Sequence, residues 1–251
     1  MQDSSALVAF AAFTFILAGT VKGVLGLGLP TVAVGLLSTV MPPAQAVALM
    51  LVPSLLTNVW QAFTGGHFVS ILLRLWPALL AIIAGTWIAG RLELGLLSPE
   101  AASSTRIALG VTLLLYAAIG LAKVQLAVSD RLEPWLGAGI GLVTGMISAV
   151  TGIYMIPAVA YYQAIGFTPD EFIQAQGVSY SVSTLALGGL LIGGHALDKT
   201  GASASVIAVI PAVLGMLLGQ AIRSVTRPAI FRLCFYLGII GLGLHLAVIH
   251  P

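Results

Sequence analysis

Charge is what this chain has least of. Charged residues fill 7% of its 251 positions and hydrophobic residues 59%, whereas a soluble domain carries about 25% charged residues. Mean hydropathy is +1.09. This balance excludes an ordinary soluble domain and predicts an all-α polytopic membrane protein. Cysteine occurs once, at Cys234, which excludes an intramolecular disulfide and a cysteine metal cluster. The basic residues are scattered through short loops without forming a patch, so nucleic acid is not an expected partner. No His-Glu-x-x-His, Gly-x-Ser-x-Gly or intramembrane carboxylate pair is present. The expectation is therefore no enzyme, no cofactor and no metal. His67 and His195 close matching segments at the membrane edge, and no further metal ligand stands at a suitable spacing. The start, Met-Gln-Asp-Ser-Ser, lacks the basic opening of a cleavable signal peptide, so the first apolar run is read as part of the mature protein.

What the chain does have is long apolar runs. The first, Ala6 to Val40, is charged only at Lys22. As one straight helix it would reach about 50 Å, while a bilayer's hydrocarbon core is about 30 Å thick. It is too long for one upright span and too short for two. Gly26, Gly28 and Pro30 mark where it breaks, because glycine permits unusual dihedrals and proline removes a backbone donor. Broken helices at membrane depth line cavities or lie buried in protein, and in transporters they form binding sites. A second overlong run, Trp135 to Ile165, carries no charge and places Pro157 where the first run has Pro30.

Between these runs lie ordinary segments: Ala44 to Phe63, about Leu72 to Gly90, and Ile107 to Ala122. After the polar linker Lys123 to Glu133 the series repeats, with Phe172 to Leu191, Ser203 to Ile222 and Ile230 to Val248. Landmarks recur in order: Pro42 with Pro169, Gly65-Gly66-His67 with Gly193-Gly194-His195, Pro77 and Gly85 with Pro211 and Gly219 after a six-residue insertion, Arg106 with Arg232. The chain thus reads as about eight transmembrane segments in two homologous repeats, residues 1–127 and 128–251, each opening on a broken helix. If each broken run crosses once, the halves are parallel. Arg91, Arg106, Arg223, Arg227 and Arg232 then oppose Arg74, Lys123, Arg131 and Lys199. If each run enters and returns, the halves are inverted. Arg74, Lys123, Arg131, Arg223, Arg227 and Arg232 then oppose Arg91, Arg106 and Lys199. The positive-inside rule favours the larger imbalance, hence inverted halves with both termini outside.

A charge within the membrane costs about 2.5–3.5 kcal/mol on insertion scales and is usually functional. Lys22 is the one candidate. The acidic residues Asp3, Glu93, Glu100, Asp130, Glu133, Asp170, Glu171 and Asp198 are all read as lying in loops or at the N-terminus. A cation without an intramembrane carboxylate points to an anionic substrate. The plainer reading of Lys22 is a side chain at a helix end that snorkels to the headgroups. Uncharged polar residues form stripes: Ser54, Asn58 and Gln61; Thr144, Ser148 and Thr151; Gln176, Tyr180 and Ser183. Each stripe occupies one helical face. Such faces turn inward, either to donate to anion oxygens or to hydrogen-bond neighbouring helices. Gly19-x-x-x-Gly23 and Gly137-x-x-x-Gly141-x-x-x-Gly145 are small-residue motifs for close helix packing.

The pattern Gly19-x-x-Lys22-Gly23-x-x-Gly26-x-Gly28-x-Pro30 resembles the TauE/SafE sulfite exporter family. So do Thr151-Gly152-Ile153-Tyr154-Met155-Ile156-Pro157-Ala158-Val159 and Ser179-Tyr180-Ser181-Val182-Ser183-Thr184. Where the family commonly has a Gly-rich triplet in the second copy, this chain has Ile153-Tyr154-Met155. The resemblance spans nearly the whole chain. It implies a multi-pass carrier of the bacterial inner membrane that exports sulfite or a short organosulfonate. Breaks, stripes and resemblance together nominate Lys22, Gly26, Gly28, Pro30, Asn58, Gln61, Ser148, Thr151, Tyr154, Pro157, Gln176, Tyr180 and Ser183 as substrate-binding. The alternatives are a carrier of another small anion, such as a carboxylate, and a polytopic assembly subunit that transports nothing.

Overall fold

The structure is a computed structural model, and it describes residues 4–98, 102–122, 127–194, 199–225 and 228–249. Among these residues there is no strand. The described residues form eleven α-helices: α1 (Ser4–Leu25), α2 (Leu29–Leu37), α3 (Pro43–Phe63), α4 (Phe68–Arg91), α5 (Ala102–Ala122), α6 (Glu133–Thr151), α7 (Ala158–Ala164), α8 (Pro169–Gly193), α9 (Lys199–Ile207), α10 (Val209–Val225) and α11 (Pro228–Leu244). Eight helical segments among the described residues are long and apolar enough to cross a bilayer. α2, α7 and the α9 fragment are far too short to cross by themselves. α2 has nine residues and α7 seven, about 14 and 11 Å of helix. The most enclosed spans are α3 and α8, with 61% and 67% of an 18-residue apolar stretch buried in each, and they form the centre around which the others pack.

Local chemistry accounts for the boundaries. Pro43 and Pro169 stand in the first turns of α3 and α8, where a missing N–H costs nothing. Thr168 and Glu171 close a capping box at the start of α8. Ser203 to Ile222 is not one helix. It divides at Ala208 into α9 and α10, because Pro211 cannot bond to the Ile207 carbonyl. Pro53 sits inside α3 without ending it. The Leu49 carbonyl that Pro53 leaves free accepts from Ser205 Oγ at 2.9 Å, and Ser205 Oγ in turn accepts the Val52 N–H at 3.0 Å. Polar repair of this kind is what lets proline persist in a membrane helix.

The glycine motifs mark where helices touch. A Cβ on Gly19 would lie 2.1 Å from the Ala212 carbonyl oxygen, and one on Gly219 would lie 2.2 Å from that of Thr20, so α1 and α10 meet backbone to backbone. α4 and α6 meet likewise. A Cβ on Gly145 would lie 2.1 Å from the Ile82 oxygen, and one on Gly85 would lie 2.1 Å from the Leu142 oxygen. Only glycine permits this approach.

Both broken runs reverse direction. The second run begins and ends at the same place. Arg74 binds the Glu133 carboxylate through Nε at 2.6 Å and Nη2 at 2.8 Å, and Nη2 also donates to the Ile165 carbonyl at 2.8 Å. Tyr161 OH donates to the Glu133 carbonyl at 3.0 Å. In the first run, Met41, just past α2, lines one cavity with Leu7, Val8 and Ala11 near the start of α1, while a Cβ on Gly28, just ahead of α2, would lie 2.9 Å from Val21 near the end of α1, so the two helices run antiparallel. Of the two geometries left open by length, both runs enter and return.

One expectation about charge needs correction. Glu133 is not a loop residue. It opens α6, is buried, and pairs with Arg74 inside α4. Asp170 and Glu171 likewise lie in the first turn of α8. All three stand at the positive end of a helix dipole, which favours them there. His195 and the linker residues 123–126 lie outside the described residues.

Candidate functional site

The site begins with Lys22. Its side chain is 4% exposed, which leaves no path to a headgroup and removes the snorkelling reading. The ammonium group donates to Asn58 Oδ1 across the α1–α3 contact. Asn58 then turns its amide nitrogen to a group of hydroxyls: Ser54 Oγ at 3.1 Å, Tyr154 OH at 3.4 Å and Thr184 Oγ1 at 3.5 Å. Tyr154 OH also bonds Ser54 Oγ and accepts from Thr184 Oγ1 at 3.0 Å. α1, α3, the second break and α8 thus each contribute to one cluster. Each of its five members is at most 4% exposed, so the cluster is occluded from both sides.

The first break has its own clamp. Gly26 and Gly28 both adopt positive φ, 77° and 103°, in the region open to glycine. Gln61 Nε2 donates to the Gly26 carbonyl and to the Ile173 carbonyl, both at 2.8 Å, and so ties the break to α8. Pro30 lies buried in the first turn of α2. The second break turns at Gly152, φ 75°, whose added Cβ would strike Val47 Cγ2 at 2.3 Å. Gln61 and Val47 stand at opposite ends of α3, about 21 Å apart along its axis. The breaks therefore sit at different depths. The runs meet beyond them, where Thr31 Oγ1 lies 2.8 Å from Met155 Sδ.

The remaining nominees divide. Pro157 caps the start of α7. Tyr180 stacks obliquely on Tyr154, ring centroids 5.1 Å apart, and donates to Gln176 Oε1 at 3.1 Å. Gln176 Nε2 and Ser148 Oγ are buried without a partner. Thr151 Oγ1 donates to the Ile147 carbonyl of its own helix at 2.8 Å, and Ser183 Oγ does the same to Ser179 at 3.0 Å. The structure thus brings Lys22, Asn58 and Tyr154 into one cluster and leaves Ser148, Thr151 and Ser183 outside it. Ser54 and Thr184 belong to the cluster, although neither was nominated. Ser54 was legible from its one-turn spacing to Asn58, and Thr184 from its one-turn spacing to Tyr180. Among the described residues no group of three His, Cys, Asp or Glu side chains is placed to hold a metal.

The family model for the sulfite exporters TauE/SafE matches residues 11–246. The chain belongs to the TauE/SafE family. No curated protein and no solved structure matches it. As a TauE/SafE protein with eight apolar helices of spanning length, it is a multi-pass membrane protein of a transporter family. The cluster suits that role. It holds one ammonium, one amide and three hydroxyls, all able to donate to an anion. Among the described residues it contains no carboxylate.

Proposed function

We propose that the chain exports a small sulfur oxyanion, sulfite or a short organosulfonate, across the bacterial inner membrane. The anion binds near the midplane, between the two broken runs. The observation that carries this reading is the buried Lys22 ammonium, which has an amide oxygen and no carboxylate for company among the described residues. A buried cation is costly, and a bound anion supplies the missing counter-charge. Asn58 and Tyr154 donate beside Lys22. Gly26, Gly28, Pro30, Gln61 and Pro157 shape the two breaks. Ser148, Thr151, Gln176, Tyr180 and Ser183 line the polar faces around the site. The family supplies the sulfur; the residues themselves argue only for an anion.

Residues 1–127 and 128–251 are, on this reading, inverted repeats. The packing supports it: α1 lies against α10, while α6, the first helix of the second half, lies against α4. Each half's broken helix rests on the corresponding later helix of the other half. An inside-negative potential favours anion export by about 2.3 kcal/mol per charge per 100 mV, which would allow export without a coupled ion.

The test is flux in proteoliposomes that contain this protein alone, under an imposed potential. Saturable sulfite or methanesulfonate movement that reverses with the potential is the expected result. A small carboxylate carried in their place supports the alternative anion. No flux of any anion by the purified protein supports the assembly-subunit reading.

A further inference from the structure

Asn58 is the chain's only asparagine, and it stands between two unlike environments. On one side is an ammonium, which can only donate. On the other are three hydroxyls, which both donate and accept. Lys22 therefore fixes the amide with its oxygen inward and its nitrogen toward Ser54, Tyr154 and Thr184. The amide oxygen occupies the place beside Lys22 where an oxyanion's oxygen would sit.

We infer that Asn58 is a built-in stand-in for the substrate: its amide oxygen satisfies Lys22 in the empty carrier, and the incoming anion displaces it. The inference rests on the reading of Lys22 as the anion's partner. Displacement needs only a half-turn of the amide. The nitrogen then faces the anion and donates to it, while the oxygen faces the hydroxyls. Ser54, Tyr154 and Thr184 accommodate either orientation by rotating their own O–H bonds, so neither state leaves the amide unpaired. Ser54 and Tyr154 already share a bond in which either oxygen can donate. A carboxylate at this position has no such second state. It would hold Lys22 permanently in a charge-assisted pair and offer the anion no donor. Asn58 is on this view a positioning and specificity residue, and its neutrality is the property that matters.

The sole asparagine gives a direct readout. Protein labelled with 15N at the asparagine side chain and held in nanodiscs shows one side-chain amide signal pair, and sulfite titration is expected to shift it saturably. Sulfite affinity is measured in parallel by calorimetry. Asn58→Asp is expected to keep its thermal unfolding transition and to lose at least about tenfold in sulfite affinity, the scale of one charged hydrogen bond. Lys22→Gln is expected to lose affinity as well. A labelled wild-type signal unmoved at saturating sulfite overturns the inference, and this arm stands even where Asn58→Asp does not fold. Wild-type affinity in folded Asn58→Asp, with affinity lost in Lys22→Gln, overturns the inference alone. Wild-type affinity in Lys22→Gln overturns the underlying reading of the site as well.

Discussion

In the first broken run a lysine stands one turn ahead of the glycine that ends the helix; in the second run a serine stands there. The backbones around them are alike. The Gly26 N–H bonds the Lys22 carbonyl at 2.7 Å, and the Gly152 N–H bonds the Ser148 carbonyl at 2.8 Å. Both glycines are left-handed, φ 77° and 75°. Beyond them the runs differ. The first continues through Leu27 and a second left-handed glycine, Gly28, into α2. The second continues through Ile153, Tyr154 and Met155, and Tyr154 sends its hydroxyl into the cluster around Asn58. Breaking a helix is a backbone task that glycine and proline perform in both places. The chemistry is attached separately. One run supplies the charge and the other a neutral phenol, so the candidate site is made of non-equivalent parts.

The largest expected effect concerns what the runs share. Gly19→Leu and Gly145→Leu would each force a side chain to within 2.1 Å of a facing carbonyl oxygen. Overpacking against backbone should cost about 3 kcal/mol or more in either helix. Both variants are expected to lose the monodisperse folded protein in size-exclusion chromatography. A well-folded Gly145→Leu beside an unfolded Gly19→Leu would break the parallel between the two packings.

Next come the residues that distinguish the runs. Lys22→Gln should fold normally and lower sulfite flux by about 10- to 100-fold, since one charged hydrogen bond contributes about 1.5–3 kcal/mol. Initial rates in proteoliposomes, alongside thermal unfolding, check this. Tyr154→Phe removes the hydroxyl that joins Ser54, Asn58 and Thr184. About three- to tenfold lower flux is expected, because Ser54 and Thr184 can still bond to neighbours. A loss as large as that of Lys22→Gln would mean the phenol touches the anion directly.

The smallest effect sharpens the comparison. Ser148→Ala removes a buried hydroxyl that has no partner, so flux should change by less than about twofold and stability by less than about 1 kcal/mol. A tenfold loss of flux would instead reveal a second anion contact at the place equivalent to Lys22.

Much of the fold was legible in the sequence because membrane helices announce themselves locally. Hydropathy and length mark the spans, and Gly26, Gly28, Pro30, Gly152 and Pro157 lie at or beside the two turns. The site was legible in part. Asn58 and Lys22 each carried a signal, one as a polar residue on an inward face and the other as a charge in an apolar run. Their contact carried none, because they lie on different helices. The Arg74–Glu133 pair was obscure for the same reason. Each residue looked like an ordinary charge at a segment end until α4 and α6 came together at their glycines.

The sequence by itself determined that the chain is helical, that it belongs in a bilayer, that its two overlong runs break, and which faces are polar. These follow from side-chain transfer energies and backbone dihedrals, which act over a few residues. Only the tertiary structure decided that both broken runs return on themselves, and that their meeting point lies past the breaks. It also decided that Lys22 faces an asparagine rather than lipid headgroups. In a chain whose helices are apolar on nearly every side, hydropathy does not choose partners. Close approach at glycines and the need to satisfy each buried polar group make that choice, and both depend on residues far apart in the chain.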